Sequence, residues 1–256
     1  MTTQLLIYES ATPVNAERHR DWCVKAGDTF EFAKEVNSVP LTAVEFANAA
    51  AEYAIVFSGN DDTIMPVVIL GLKPNENMYV EASGRWNARY VPAFIRRYPF
   101  VFASDSEGKT FTLCIDEQYQ GCNQEGRGER LFDADGTQTQ YIQQVLNFQR
   151  EYQAHFQLTQ AFCQKLKELD LLEPMHAMVT LGGERSSLGG FLGIQRERLK
   201  ALDGEQLAAL AKSDELELMY LHLQSIRNFP AAIERVATPD LSSEPAARPD
   251  AATAAS

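Results

Sequence analysis

No apolar run in this 256-residue chain approaches the roughly 20 residues that a membrane-spanning helix needs. The opening residues lack a basic stretch, a long apolar segment and a small-residue cleavage site, so the reading is a soluble, cytoplasmic protein. Cysteine is scarce. Cys23, Cys114, Cys122 and Cys163 contain no Cys-x-x-Cys spacing, which points to free thiols in a reducing compartment. Only four histidines occur, none within five residues of another, so a histidine metal site has little support and neither metal nor cofactor is expected. Lys and Arg (23) are outnumbered by Asp and Glu (35), and the net charge of -12 sets a field that disfavours nucleic acid and anionic membrane as partners. The P-loop, the Gly-x-Ser-x-Gly elbow, His-Glu-x-x-His and Gly-x-Gly-x-x-Gly are all missing, which removes the direct arguments for an enzyme.

Against that acidic background stands one basic, aromatic island, RWNARYVPAFIRRYPFVF at residues 85–102. It holds Arg85, Arg89, Arg96 and Arg97 among Trp86, Tyr90, Phe94, Tyr98, Phe100 and Phe102, and no acid lies between Glu81 and Asp105. Planar guanidinium groups pair bidentately with carboxylates and phosphates and also stack on rings. The island therefore serves either as a binding site or as an ordered arginine-aromatic layer paired with acids from elsewhere in the fold.

Periodicity divides the rest. Residues 1–136 read as β-rich, with strands expected at Leu5–Tyr8, Ala54–Phe57, Pro66–Leu72 and Phe111–Ile115. The strand from Pro66 is almost wholly apolar and so predicted to be central. One helix interrupts them, headed by the capping-box pair Thr42 and Glu45. Residues 137–236 read as helix-rich and packed as one unit with the first stretch. A long helix is predicted over Thr137–Leu169, where Tyr141, Val145, Phe148, Tyr152, Phe156, Thr159, Phe162 and Leu166 mark one stripe at spacings of three and four. A hairpin follows (Met175–Leu181 and Leu188–Ile194), then helices headed by Asp203 with Gln206 and by Asp214 with Glu217. Residues 237–256, rich in Ala, Pro, Ser and Asp, read as a disordered tail. The class expected is α+β: a mostly antiparallel N-terminal sheet with few helices, a long amphipathic helix, a small hairpin and C-terminal helices.

Weaker signals have plain structural readings. Asp133 and Asp135 open like a calcium loop, but Gly136 comes too early and later acids do not follow, so a turn is expected. The glycines of residues 182–193 suit a hairpin turn, with Arg185 exposed beside them. His222, with Ser225 three residues on, reads as a packed helical histidine, or as the acid-base group of an enzyme if it shares a pocket with the arginines.

The segment Arg89–Phe102 resembles the hallmark segment of the bacterial SapC family. Residues 113–116 (LCID), 131–133 (LFD) with Gly136, 171–174 (LLEP) and 216–226, with Tyr220, His222 and Ser225, match as well, so the resemblance runs to about Val236. It implies a protein distinct from the peptide-transporter permease of the same name. Members often lie near genes for TonB-dependent receptors, tryptophan-halogenase-like flavoproteins and cupin-like proteins, which implies an accessory role in uptake or tailoring of a substrate. The expectation is a non-catalytic binding protein for a small amino-acid or peptide ligand or a protein partner. Its candidate binding residues are Arg85, Trp86, Arg89, Tyr90, Arg96, Arg97, Arg185 and His222. The alternatives are an enzyme on such a substrate and a structural subunit of a surface-layer-related assembly.

Overall fold

The computed structural model describes residues 6–25, 27, 29–60, 63–105, 110–181 and 184–237, and within these the side chains of 177–188, 231 and 234–237 are not among the described atoms. Eleven strands are formed there: β1 (Ala11–Pro13), β2 (Cys23–Val24), β3 (Ser38–Pro40), β4 (Ile55–Ser58), β5 (Met65–Ile69), β6 (Phe100–Ser104), β7 (Phe111–Asp116), β8 (Cys122–Asn123), β9 (Glu129–Arg130), β10 (Leu172–Leu181) and β11 (Glu184–Ile194). The helices are α1 (Ala16–His19), α2 (Phe46–Ala49), α3 (Ala93–Arg96), α4 (Gln140–Glu168), α5 (Arg196–Ala201), α6 (Gly204–Lys212), α7 (Glu215–Ser225) and α8 (Asn228–Ala237). The class is α+β.

All strand pairs are antiparallel, in three sheets ordered β1-β7-β6, β10-β11-β4-β5-β3 and β8-β2-β9. The five-stranded sheet joins strands from both halves of the chain, with apolar β5 in its interior between β4 and β3. One of its faces packs on α8 through Val56, Ile69 and Phe229. The other belongs to the main core, where Phe57 meets Phe162 of α4.

Helix α4 ties the layers together. At 29 residues it extends about 43 Å. Its N-terminal half covers the β1-β7-β6 sheet through Ile142, and its C-terminal half enters the main core through Phe162, Cys163 and Leu166. Thr139 caps its start, accepting from the Ile142 N–H, and Asp170 at φ 50° terminates it. Thr159 in mid-helix donates to the His155 carbonyl (2.7 Å) and accepts from the Ala43 N–H (2.8 Å).

Several expectations are corrected. Residues 6–8 form a turn and not a strand, because Tyr8 is drawn into the core and its hydroxyl donates to the Phe100 carbonyl (2.8 Å); Leu5 lies outside the described residues. Thr42 and Glu45 form the capping box, but it opens a 3-10 turn that runs into the short α2. Asp203 and Gln206 form theirs on α6. Asp214 makes no cap: the tight turn between α6 and α7 forces it to φ 59°, the left-handed region. The tail expected beyond residue 237 lies outside the described residues. Among the described residues no helix is long and apolar enough to cross a membrane.

Candidate functional site

The island is clamped by backbone before any side chain is considered. Two carboxylates from the α2 region do this. Glu45, 3% exposed, accepts from the Thr42 N–H and hydroxyl (both 2.8 Å) through one oxygen. Its other oxygen accepts from the Ala93 N–H (2.7 Å) and the Tyr90 hydroxyl (2.8 Å). Glu52 accepts the Arg89 N–H on both oxygens (2.8 and 3.1 Å). Glu45 and Glu52 are thus spent on main-chain N–H groups and hydroxyls and not on guanidinium groups.

The four arginines then separate. Arg85 is exposed and pairs with Glu81 (3.1 Å). Arg89 is exposed, and its guanidinium has no hydrogen-bond or carboxylate partner among the described residues. Arg96 is exposed and held from three sides. Its Nε donates to the Val91 carbonyl (3.0 Å), an Nη donates to the Tyr90 hydroxyl (3.4 Å), and the plane lies 5.4 Å from the Phe148 ring. Arg97, one residue on, faces the core. Its guanidinium lies against Phe94 (4.1 Å), Tyr152 (4.9 Å) and Tyr8 (5.6 Å), all buried rings. Its Nε is buried without a hydrogen-bond partner, and no described carboxylate pairs with it.

Two clefts flank the segment. One, of about 650 Å3, is bordered by Glu52, Glu81, Arg85, Asn87, Arg89 and Asn228. Trp86 borders it but is only 8% exposed: its indole N–H donates to Tyr53 (2.8 Å) and its ring stacks on Tyr79, so it packs as a core residue. The other cleft, of about 470 Å3, lies beside Arg96. One wall is a chain of touching rings: Phe30 to Phe32, Phe32 stacked on Tyr98 at 4.1 Å, and Tyr98 edge-on to Tyr119. The opposite wall is one face of α4, with Tyr141, Gln144, Val145 and Phe148 at helical spacing. Burial pushes the Tyr141 hydroxyl up to about 12, so it stays protonated at neutral pH.

His222 is not at this site. It is 1% exposed in the main core and lines neither cleft. Nδ1 donates to the Ile55 carbonyl (3.0 Å) and Nε2 accepts from the Ile194 N–H (3.0 Å), which fixes the tautomer. Strands β4 and β11 share a single pair, Leu192 with Phe57, and the imidazole fills the place of the next rung. Burial lowers its pKa to about 4. Ser225 accepts from the Ile55 N–H (3.0 Å) and donates to the His222 carbonyl, so it completes the strand edge and makes no catalytic pair. The binding and acid-base roles expected for His222 are withdrawn. The Arg185 side chain lies outside the described residues.

Sequence reading missed the α4 wall. Tyr141 and Phe148 belong to the stripe assigned to packing, and a cleft wall follows the same helical period as a core face. Phe30, Phe32 and Tyr119 gave no signal of their own, being scattered singly along loops.

The environment of Arg97 predicts a substitution pattern. Arg97→Ala should lower stability by about 2–4 kcal/mol through the void left among three rings. Arg97→Met, which fills the space and removes the Nε that is buried without a partner, should stay within about 1.5 kcal/mol of wild type. Urea denaturation of both variants checks this, and an equal loss for Met would show that the charge itself is needed.

Among the described residues, no group of three His, Cys, Asp or Glu side chains is placed to hold a metal ion. No curated protein and no solved structure matches the chain. The SapC family model matches residues 14–231, which include the whole island, α4 and every residue lining the cleft beside Arg96. The chain therefore belongs to the SapC family.

Proposed function

We propose that this chain is a non-catalytic accessory protein of the cytoplasm that binds a small anionic ligand, an amino acid or short peptide among the candidates, in support of its uptake or tailoring. The observation that carries the reading is Arg96: an exposed guanidinium with no carboxylate partner, fixed by Val91, Tyr90 and Phe148 at an aromatic cleft. A fixed fork loses little rotamer freedom on pairing, so such a group suits recognition. Arg89, likewise without a partner among the described residues, borders the neighbouring cleft and adds positive potential to the same segment.

Further support comes from the groups that line the clefts. Neither is lined by His or Cys, and the Glu52 oxygens are already committed to backbone. No nucleophile and base are brought together there, which favours binding over catalysis. The four cysteines are free thiols, as suits a reducing compartment. A structural-subunit role has less behind it, because the α4 aromatics are buried or half-buried and none stands fully exposed for a partner.

A thermal-shift screen against amino acids, short peptides, flavins and nucleotides tests the reading, since a ligand that binds only the folded state raises the melting temperature. At least one anionic compound should stabilise wild type and the Arg97→Met variant but not Arg96→Ala. Losing one charge-assisted pair should weaken binding about 10- to 100-fold. Identical responses from wild type and Arg96→Ala across the screen would overturn it.

A further inference from the structure

The cleft beside Arg96 has a composition narrower than "anionic ligand" demands. Six half-buried rings line it: Phe30, Phe32, Tyr98, Tyr119, Tyr141 and Phe148. Its volume of about 470 Å3 falls within the ~300–1,000 Å3 typical of sites for one small molecule. An apolar body placed between the ring chain and α4 would meet rings on both sides, and flat rings favour a flat partner.

The polar groups at the same cleft are few and unspent. Gln144 is exposed and its side-chain amide has no hydrogen-bond partner among the described residues; the same is true of the Tyr141 hydroxyl. Arg96 uses Nε on Val91 and one Nη on Tyr90, which leaves the remaining Nη hydrogens for a ligand. Its position is fixed in turn, because the Tyr90 hydroxyl that holds it donates to buried Glu45. Among the other lining donors, the Gly27 N–H donates to the Tyr119 hydroxyl and the Gln149 amide to the Phe100 carbonyl, while the Thr29 hydroxyl has no hydrogen-bond partner among the described residues.

Charge sets the ligand's valence. Arg96 and Arg97 both line the cleft, but only Arg96 is exposed; the half-buried Arg97 has its guanidinium packed against Tyr8, Phe94 and Tyr152. The chain as a whole carries -12. A dianion such as a phosphate monoester would bring one more negative charge than the cleft can pair, into the field of an acidic protein. A carboxylate matches a single planar fork in charge and geometry.

We propose that the cleft binds an aromatic monocarboxylate, with its ring system between the Phe32–Tyr98 stack and Phe148 and its carboxylate on Arg96. Gln144 donates to the same carboxylate from the α4 side. This rests on the reading of Arg96 as the recognition residue and adds to it the class of ligand.

The test is calorimetric titration with 1-naphthaleneacetate, its neutral counterpart 2-(1-naphthyl)ethanol, 1-naphthyl phosphate and a short Glu-rich peptide. The acetate should bind about 10-fold or more tightly than the alcohol, the effect of one charge-assisted pair. Arg96→Met should erase that difference and leave the alcohol's affinity unchanged. Gln144→Glu alters only an exposed side chain, so it tests the site without disturbing the core. It should weaken the acetate about 5-fold or more by like-charge repulsion and spare the alcohol. Equal binding of acetate and alcohol to wild type would overturn the proposal. So would tighter binding of the phosphate, or Arg96-dependent binding of the peptide alone, although both of those would leave the anion-binding reading standing. If no anion of any kind depends on Arg96, both fall together.

Discussion

Lowering the pH from 7.5 to 5.0 is expected to cost the fold about 2 kcal/mol through His222 alone. The imidazole is 1% exposed, and burial holds its folded-state pKa at about 4 against an ordinary value of 6.5. In the folded protein it therefore stays neutral down to about pH 4, whereas in the unfolded chain it takes up a proton below about 6.5. The unfolded state binds more protons throughout that window, so stability falls as the pH falls through it. Above pH 6.5 both states are neutral and the effect vanishes. Below about 4 both are protonated and the loss levels off, at about 3 kcal/mol in total. Urea midpoints at the two pH values measure the loss, and the ring-proton shifts of His222 identify its source. A His222 resonance that titrates near 6.5 in the folded protein would refute the assignment of this slope to His222.

A second large effect is expected at Glu45. Replacing it by Ala strands the Thr42 and Ala93 N–H groups and the Tyr90 hydroxyl at a 3%-exposed position. Each buried unpaired donor costs about 1–3 kcal/mol, and with some water entering the gap the sum should be about 3–5 kcal/mol. Glu45→Gln keeps an acceptor oxygen but turns an amide against one set of donors, so its loss should be smaller. The damage extends beyond stability, because Tyr90 links Glu45 to Arg96. Any ligand that depends on Arg96 should lose affinity in Glu45→Gln even while the variant remains folded. A stability loss below about 1 kcal/mol for Glu45→Ala would show that these donors find other acceptors.

How much of this was legible beforehand depended on whether the cause was local. Capping boxes at Thr42 and Asp203 were readable because their donors and acceptors lie three residues apart. The body of α4 was readable for the same reason, since its period repeats for eight turns. The second half of Glu45's work was hidden, because its partners Tyr90 and Ala93 are 45 and 48 residues away. So was the opposite fate of Arg96 and Arg97. Adjacent side chains at the end of a short helix diverge by about 100°, enough to send one to an open cleft and its neighbour into a box of rings. Composition marks the segment as an island but does not say which arginine faces water. His222 reads as lying beside an apolar stripe, yet its role as a rung between β4 and β11 required two strands far apart in the sequence.

That rung also bears on how the protein is made. Strand β4 takes its last main-chain partners from His222 and Ser225, and Asn228 donates to the carbonyls of Ala50 and Tyr53. During synthesis, β4 and the turn before it leave the ribosome some 170 residues ahead of the groups that will close them. At roughly 5–20 residues per second the interval is about 10–30 s. Until β11 and then α7 emerge, the edge of β4, an apolar strand with unpaired donors and acceptors, is open to any other strand it meets. Nascent chains halted before α7 should therefore associate readily with one another or with holdase chaperones, and chains released past Asn228 should not.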